Sequence, residues 1–135
     1  MSRATKDTLR LLGALATIVV GAVHLQQYAD FIRDVPTIGV LFVLNAAGAG
    51  VVTILLATRH ATLGALGAIA LSAGSLVSIA ISMTDGGLFD YTEPTFRAPI
   101  AVAVVAEILA IGLLLAYLAA QRAPARAVRV DWSTT

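Results

Sequence analysis

The stretch Ile100–Gln121, IAVAVVAEILAIGLLLAYLAAQ, decides how this chain folds. It consists almost wholly of Ala, Val, Ile and Leu, and it carries one carboxylate, Glu107. Its length matches the roughly 20 residues a helix needs to cross about 30 Å of hydrocarbon. Backbone N–H and C=O groups must be satisfied within lipid, which selects a helix over an open strand. A charge in that setting costs at least about 2.5 kcal/mol. A carboxylate kept there points to a use.

Three further runs share this length and character: Leu9–Tyr28, Thr37–Thr58 and Leu63–Met83. None shows the alternation of barrel strands. The expected fold is all-α: a four-transmembrane-helix bundle forming one membrane domain over residues 1–121. A mobile cytoplasmic tail over residues 122–135 is expected to follow, with Pro124 breaking the helix. At 135 residues, 59% hydrophobic and 13% charged, with mean hydropathy +0.89, the chain lies outside the range of soluble domains. That length leaves no room for a separate enzyme domain beside a membrane anchor.

Arg3, Lys6 and Arg10 ahead of Leu11–Val23 imitate a signal peptide. The apolar stretch is long and no Ala-x-Ala site follows, so a retained helix is expected. Pro36 and Pro99 fall where a first helical turn would begin, where a missing N–H costs nothing. Arg59–Thr62 is a tight polar connection that makes the second and third helices antiparallel neighbours. Asp85-Gly86-Gly87 closes the third run with turn residues.

Lys and Arg counts set the orientation. Arg3, Lys6, Arg10, Arg59, Arg122, Arg126 and Arg129 fall on one side, and Arg33 and Arg97 on the other, seven against two. Both termini are therefore expected in the cytoplasm of a cell whose inner (plasma) membrane the chain crosses. The outer side carries Asp30, Asp34, Asp85, Asp90 and Glu93. A net charge of +1 offers no surface for polyanions, so nucleic acid is not an expected partner. The expected partners are the lipid bilayer and either further copies of the chain or a larger membrane complex. The chain has no cysteine, which excludes disulfides, thiolate metal sites and cysteine nucleophiles.

Orientation also gives depth. Counted from the outer helix ends, Asn45 and Glu107 lie roughly 10–12 Å below the hydrocarbon boundary at 1.5 Å per residue. Ser75 and Ser78 reach a similar level, and His24 is shallower at about 6 Å. These polar groups converge on one ligand or proton site if their faces turn inward. The stripes agree: Gly13, Thr17, Gly21 and His24; Asn45, Gly48, Ala49 and Val52; Gly64, Ala68, Leu71, Ser75, Ser78 and Ser82; Ala103, Glu107 and Ala110. Small residues flank the polar ones each time, as where membrane helices pack closely.

The same residues also fit structural roles. Glu107 and Asn45 could tie helices together by hydrogen bonds, His24 could be an interfacial residue, and the serines could bond their own backbone. His60, in the cytoplasmic turn, reads as a loop residue. What favours a site is the shared depth of His24, Asn45 and Glu107, which separate packing roles would not require.

The outer loop Thr84–Pro99 mixes acids with Phe89, Tyr91 and Phe96. It reads as an aromatic belt at headgroup level, or as a lid over the pocket in which Arg97 pairs with Asp90 or Glu93. Asp90 and Glu93 alone are too few ligands for a metal, and no metal is expected.

Gly21-Ala-Val-His24-Leu25, Leu41-Phe42-x-x-Asn45, Gly87-Leu-Phe followed by Glu93, and Glu107 in the last helix together resemble small actinobacterial four-helix membrane proteins. The likeness spans most of residues 10–121. It implies the four-helix fold and a bacterial inner-membrane setting. That group has no established activity, so the resemblance implies no catalytic residue.

Other small membrane families fit poorly. Small multidrug-resistance transporters place their membrane glutamate in the first helix, where this chain has none. A haem carrier needs paired axial histidines, and only His24 lies within a span. A retinal pigment needs a membrane lysine, and the only lysine is Lys6. No nucleophile elbow appears. Accordingly no cofactor and no enzymatic activity are expected. Two readings stand foremost: a protein that binds or moves a small solute or proton at Glu107, and an accessory or assembly subunit whose polar residues are interhelical hydrogen bonds. A membrane enzyme acting on lipid or quinone ranks below both.

Overall fold

The computed structural model describes residues 1–122. The tail expected over residues 122–135 lies, beyond Arg122, outside the described residues. Four helices account for most of the rest: α1 (Arg3–Gln27), α2 (Ile38–Ala57), α3 (Ala61–Ser82) and α4 (Ala98–Arg122). Each is long and apolar enough to cross a membrane. A π-helical turn, Tyr28–Ile32, extends α1, with Arg33 N–H donating to Tyr28 O at 3.0 Å.

The helix boundaries depart from the apolar runs for local reasons. α1 begins six residues before Leu9 because Ser2 caps it, its hydroxyl accepting from Thr5 N–H at 3.1 Å. The charged turns Arg3–Arg10 are thus helical although they are not apolar. Pro36 does not open α2 as expected. It sits two residues ahead, and its carbonyl accepts from Ile38 N–H at 2.6 Å across Thr37, whose φ is 65° and ψ −56°. This is the positive-φ γ-turn, a rare and strained conformation. α3 begins two residues early at Ala61, and α4 two residues early at Ala98, which leaves Pro99 inside its first turn. There the ring removes an N–H that has no intrahelical partner.

The helices are adjacent in ring order, α1–α2–α3–α4, with α4 closing against α1. Across the ring α1 meets α3, whereas among the described residues α2 and α4 make no contact. One half of the bundle, toward the termini, is close-packed: Leu56, Ala61, Ala65, Ala68, Leu114 and Tyr117 form a single buried cluster. Small side chains permit that approach. A Cβ on Gly64 would stand 2.7 Å from Leu56 N and 2.9 Å from Val52 O, so only glycine lets α3 lie directly on the α2 backbone. Most buried polar groups of the bundle, those of His24, Gln27, Asn45, Ser75, Ser82 and Glu107 among them, collect in the other half, although Thr53 does not.

A loop joins α3 to α4 over that second half. Leu88 and Tyr91 exchange two backbone hydrogen bonds, at 2.8 and 3.0 Å, around Phe89 (φ 51°) and Asp90 (φ 64°). Two successive positive-φ residues make a type I′ turn. Gly87 precedes it at φ 60°, where an added Cβ would collide with Tyr91 O at 2.5 Å. Glu93 N–H then donates to Ser82 O at 2.8 Å, which ties the loop back to the end of α3.

Candidate functional site

His24 lies near the end of α1 and is 5% exposed. Its Nδ1 stands 2.9 Å from Val20 O, one turn back, and its Nε2 stands 3.1 Å from Ser75 Oγ on α3. A backbone carbonyl only accepts, so Nδ1 carries the proton and donates to Val20 O. This assignment follows from the hydrogen-bond network. In the neutral ring Nε2 is then an acceptor, and the Ser75 hydroxyl donates to it. The Phe42 ring of α2 lies 5.0 Å from the imidazole, tilted by 45°. The ring is therefore held from three helices, with its Nε2 turned across the bundle toward Ser75 and Glu107.

Glu107, on α4, is 0% exposed, and its Oε1 lies 4.0 Å from His24 Nε2. Neither carboxylate oxygen has a hydrogen-bond partner among the described residues. Ser75 is also its polar neighbour, but the single hydroxyl proton of Ser75 is given to His24. A basic nitrogen and a carboxylate thus face one another with room for one proton between them. The proton can sit on Glu107, leaving both groups neutral, or on His24, leaving an ion pair. A buried carboxylate with no donor is costly, which makes the location of that proton the central chemical variable of the site.

A cavity of about 390 Å3 adjoins the cluster, chiefly between α1, α2 and α3 and beneath the loop, with Ile100 and Ala103 of α4 completing its wall. His24 and Ser75 form part of its wall; Glu107 stands behind them and does not line it. The volume falls in the range of small-molecule sites. The hydrogen bond between His24 and Ser75 spans the diagonal where α1 meets α3, and Ala103, one turn before Glu107 on α4, also lines the cavity.

Of the five residues expected to share the site, His24, Ser75 and Glu107 come together. Asn45 lines the cavity with its Oδ1 buried and without a partner. It belongs to α2, the helix that does not meet α4, so no direct link to Glu107 forms. Ser78 also lines the cavity, but its hydroxyl donates to Gly74 O at 2.9 Å. Ser82 and Thr17 likewise bond their own helix backbones, at Ile79 O and Gly13 O.

The pairing expected in the loop involves Glu93 and not Asp90. Arg97 donates to both Glu93 oxygens, at 2.8 and 3.2 Å, and Tyr91 OH donates to Glu93 Oε2 at 2.8 Å. Asp90 instead supplies the second positive-φ position of the turn and points away, exposed. The Arg97 guanidinium lies 4.8 Å over the Phe31 ring, which anchors the loop to the π-helical turn. Burial pushes the Glu93 carboxyl up, but the hydrogen bonds from Arg97 and Tyr91 and the charge of Arg97 outweigh it, leaving the group below the usual carboxylate range. Burial and then the Glu93 carboxylate raise the Tyr91 phenol to about 12. Leu88, Tyr91 and Glu93 form the roof of the cavity.

Several contributors escaped the reading of depth. Ser72 is fully buried with an unpartnered hydroxyl. Gln27, one turn past His24, is buried and lines the cavity, and so does Phe42. Spacing held a signal for each: Gln27 is i+3 from His24, Phe42 is i−3 from Asn45, and Ser72 is i−3 from Ser75. Among the described residues no group of three or more His, Asp or Glu side chains could hold a metal ion.

Compared with known proteins, the chain matches no family model, no curated protein and no solved structure.

Proposed function

We propose that the protein is a multi-pass membrane protein that exchanges a proton, or binds a small solute coupled to one, at the His24–Ser75–Glu107 cluster. In this reading all four helices cross the inner membrane of a bacterial cell. The termini lie in the cytoplasm, and the roofed half of the bundle faces outward. The excess of Lys and Arg at the ends of α1 and α4 and in the turn after α2 supports that orientation.

One observation carries the functional reading. Glu107 is fully buried, neither of its oxygens is hydrogen-bonded, and a basic histidine nitrogen, engaged only by the Ser75 hydroxyl, lies 4.0 Å away. A glutamate retained as interhelical glue would be bonded across the bundle; this one is not. The cross-bundle bond is made by His24 and Ser75 instead. An accessory subunit held together by Glu107 is for that reason the weaker reading.

The test is infrared difference spectroscopy of the purified protein in lipid across a pH titration. Wild type is expected to show a carboxyl band that changes with pH and is missing from Glu107→Gln, with the variant still folded. A folded variant with an unchanged band removes Glu107 from the proposal. A variant that fails to fold supports the interhelical role. Co-purification of wild type with a larger membrane protein in mild detergent would favour the accessory reading directly.

A further inference from the structure

The cavity has a mouth, and its position restricts what can enter. Leu41 and Leu44 of α2 and Ala70 and Gly74 of α3 line the cavity and are also exposed on the outside of the bundle. The opening therefore lies on the seam between two apolar helices. At the loop end the roof of Leu88, Tyr91 and Glu93 covers it, pinned by the bidentate Arg97 contact. With the helices in a bilayer, a molecule reaches this cavity sideways from lipid more readily than from water.

The polar groups restrict the head of such a molecule. Asn45 Oδ1 is a buried acceptor with no donor, and His24 and Ser75 stand on the same wall. The lining contains no Lys or Arg. Its one carboxylate, Glu93, is already paired with Arg97 in the roof, and Glu107 stands behind His24, so nothing in the lining offers an anionic head a counter-charge. A fatty acid or phospholipid head is therefore poorly matched. A hydroxyl supplies the donor that Asn45 lacks, and the aliphatic remainder of the lining suits a hydrocarbon chain.

We infer that the cavity binds a neutral, long-chain, membrane-dissolved molecule whose hydroxyl head donates to Asn45 Oδ1 beside His24 and Ser75. Long-chain alcohols and prenylated hydroquinones share this chemistry. The inference rests on the membrane placement and proton-exchanging cluster proposed above, and it names the class of molecule that meets that cluster.

The test uses a diazirine-bearing palmityl alcohol as photoprobe, with the full chain reconstituted in phosphatidylcholine vesicles and labelled peptides mapped by mass spectrometry. Labelling is expected on the cavity faces of α2 and α3. Palmityl alcohol or a prenylated hydroquinone should compete with it, the stronger competitor identifying the source, whereas hexadecane and palmitate should not. Asn45→Leu should weaken competition by about tenfold, the worth of one buried hydrogen bond. Gly74→Phe places a ring in the mouth at a position where an added Cβ meets nothing within 4 Å. It should abolish cavity labelling with the fold intact, as judged by circular dichroism and the retained Glu107 carboxyl band. Labelling that Gly74→Phe leaves unchanged, or that hexadecane competes equally, overturns the inference. If that happens while the carboxyl band still titrates, the proton reading stands and only the ligand class falls. Cavity labelling without a titrating band separates the two the other way.

Discussion

His24 Nε2 and Glu107 Oε1 stand 4.0 Å apart between α1 and α4, with no other donor on the carboxylate and with Ser75 Oγ 3.1 Å from the same nitrogen. The pair has one proton to place, and the choice of site changes the charge of both groups together. Glu107→Gln keeps the shape of the side chain and removes the acid. Its stability is expected to stay within about 1 kcal/mol of wild type, since no hydrogen bond to the carboxylate is lost. Thermal unfolding in lipid checks this. A loss well beyond that size would make Glu107 a structural residue.

Ser75 and Ser78 are one turn apart on α3, yet their hydroxyls do different things. Ser75 donates across the bundle to His24, and Ser78 donates to Gly74 O on its own helix. Ser75→Ala is expected to cost about 0.6–1.7 kcal/mol, the range for side-chain hydrogen bonds between membrane helices. It should also move the His24 ring nitrogen resonances. Ser78→Ala should do neither, within about 0.5 kcal/mol. Nitrogen NMR on selectively labelled histidine separates the two variants; equal effects would mean that the diagonal contact is unimportant.

Glycines on the same helices divide equally sharply. Gly64 lies against the α2 backbone, and Gly50 has nothing within 4 Å of an added Cβ. Gly64→Val is expected to lose about 1–3 kcal/mol through forced separation of α2 and α3. Gly50→Ala should be neutral, or stabilising by up to about 1 kcal/mol from helix propensity. The check is the unfolding temperature of each variant in one detergent.

The four helices were legible because runs of about 20 apolar residues suit helices long enough to cross a bilayer, and few other structures fit such runs. Their ends were not legible from apolarity. α1 starts at Arg3 because a Ser2 cap and charged turns are compatible with helix, and hydropathy does not see caps. The π-helical turn at Tyr28–Ile32 is a shift of one residue in hydrogen-bond register, which leaves no mark in composition. His24, Ser75 and Glu107 were legible as polar groups at comparable depth on small-residue stripes. Asn45 was misplaced relative to Glu107 because depth does not say which helices are diagonal. In the loop, Gly86-Gly87 draws attention to itself as the turn, but the hairpin closes on Phe89 and Asp90, and Phe is a residue that seldom adopts positive φ.

That strain at Phe89 has a measurable consequence. A left-handed conformation costs a residue with a Cβ about 1–2 kcal/mol, and Asn tolerates it better than Phe does. Phe89 is exposed, so its replacement leaves no buried hole. Phe89→Asn is expected to stabilise the loop, seen as slower amide hydrogen exchange at Leu88 and Tyr91. Faster exchange would mean that the ring anchors the loop at the membrane surface, as in an aromatic belt.

The roof should loosen in acid and not near neutrality. The Arg97 and Tyr91 contacts hold the Glu93 carboxyl below the usual carboxylate range despite the opposing effect of burial. A lowered folded-state value means the ionised form is favoured by folding, so its contribution is fully present above the unfolded value of about 4.5. The contribution declines as pH falls below that value and is gone once Glu93 is protonated in the fold. On the alkaline side the Tyr91 phenol, raised to about 12, loses its contribution as pH climbs from the ordinary 10 through that value. Hydrogen exchange at Glu93 N–H, which donates to Ser82 O, reports the state of the roof. After correction for intrinsic exchange, protection should be flat from mildly acidic to mildly alkaline pH and should drop below the carboxylate range. In Glu93→Gln the acid-side drop should vanish, because no carboxylate remains to protonate, and protection should be low throughout. An acid-side drop that survives the substitution would place the pH-sensitive group elsewhere in the loop.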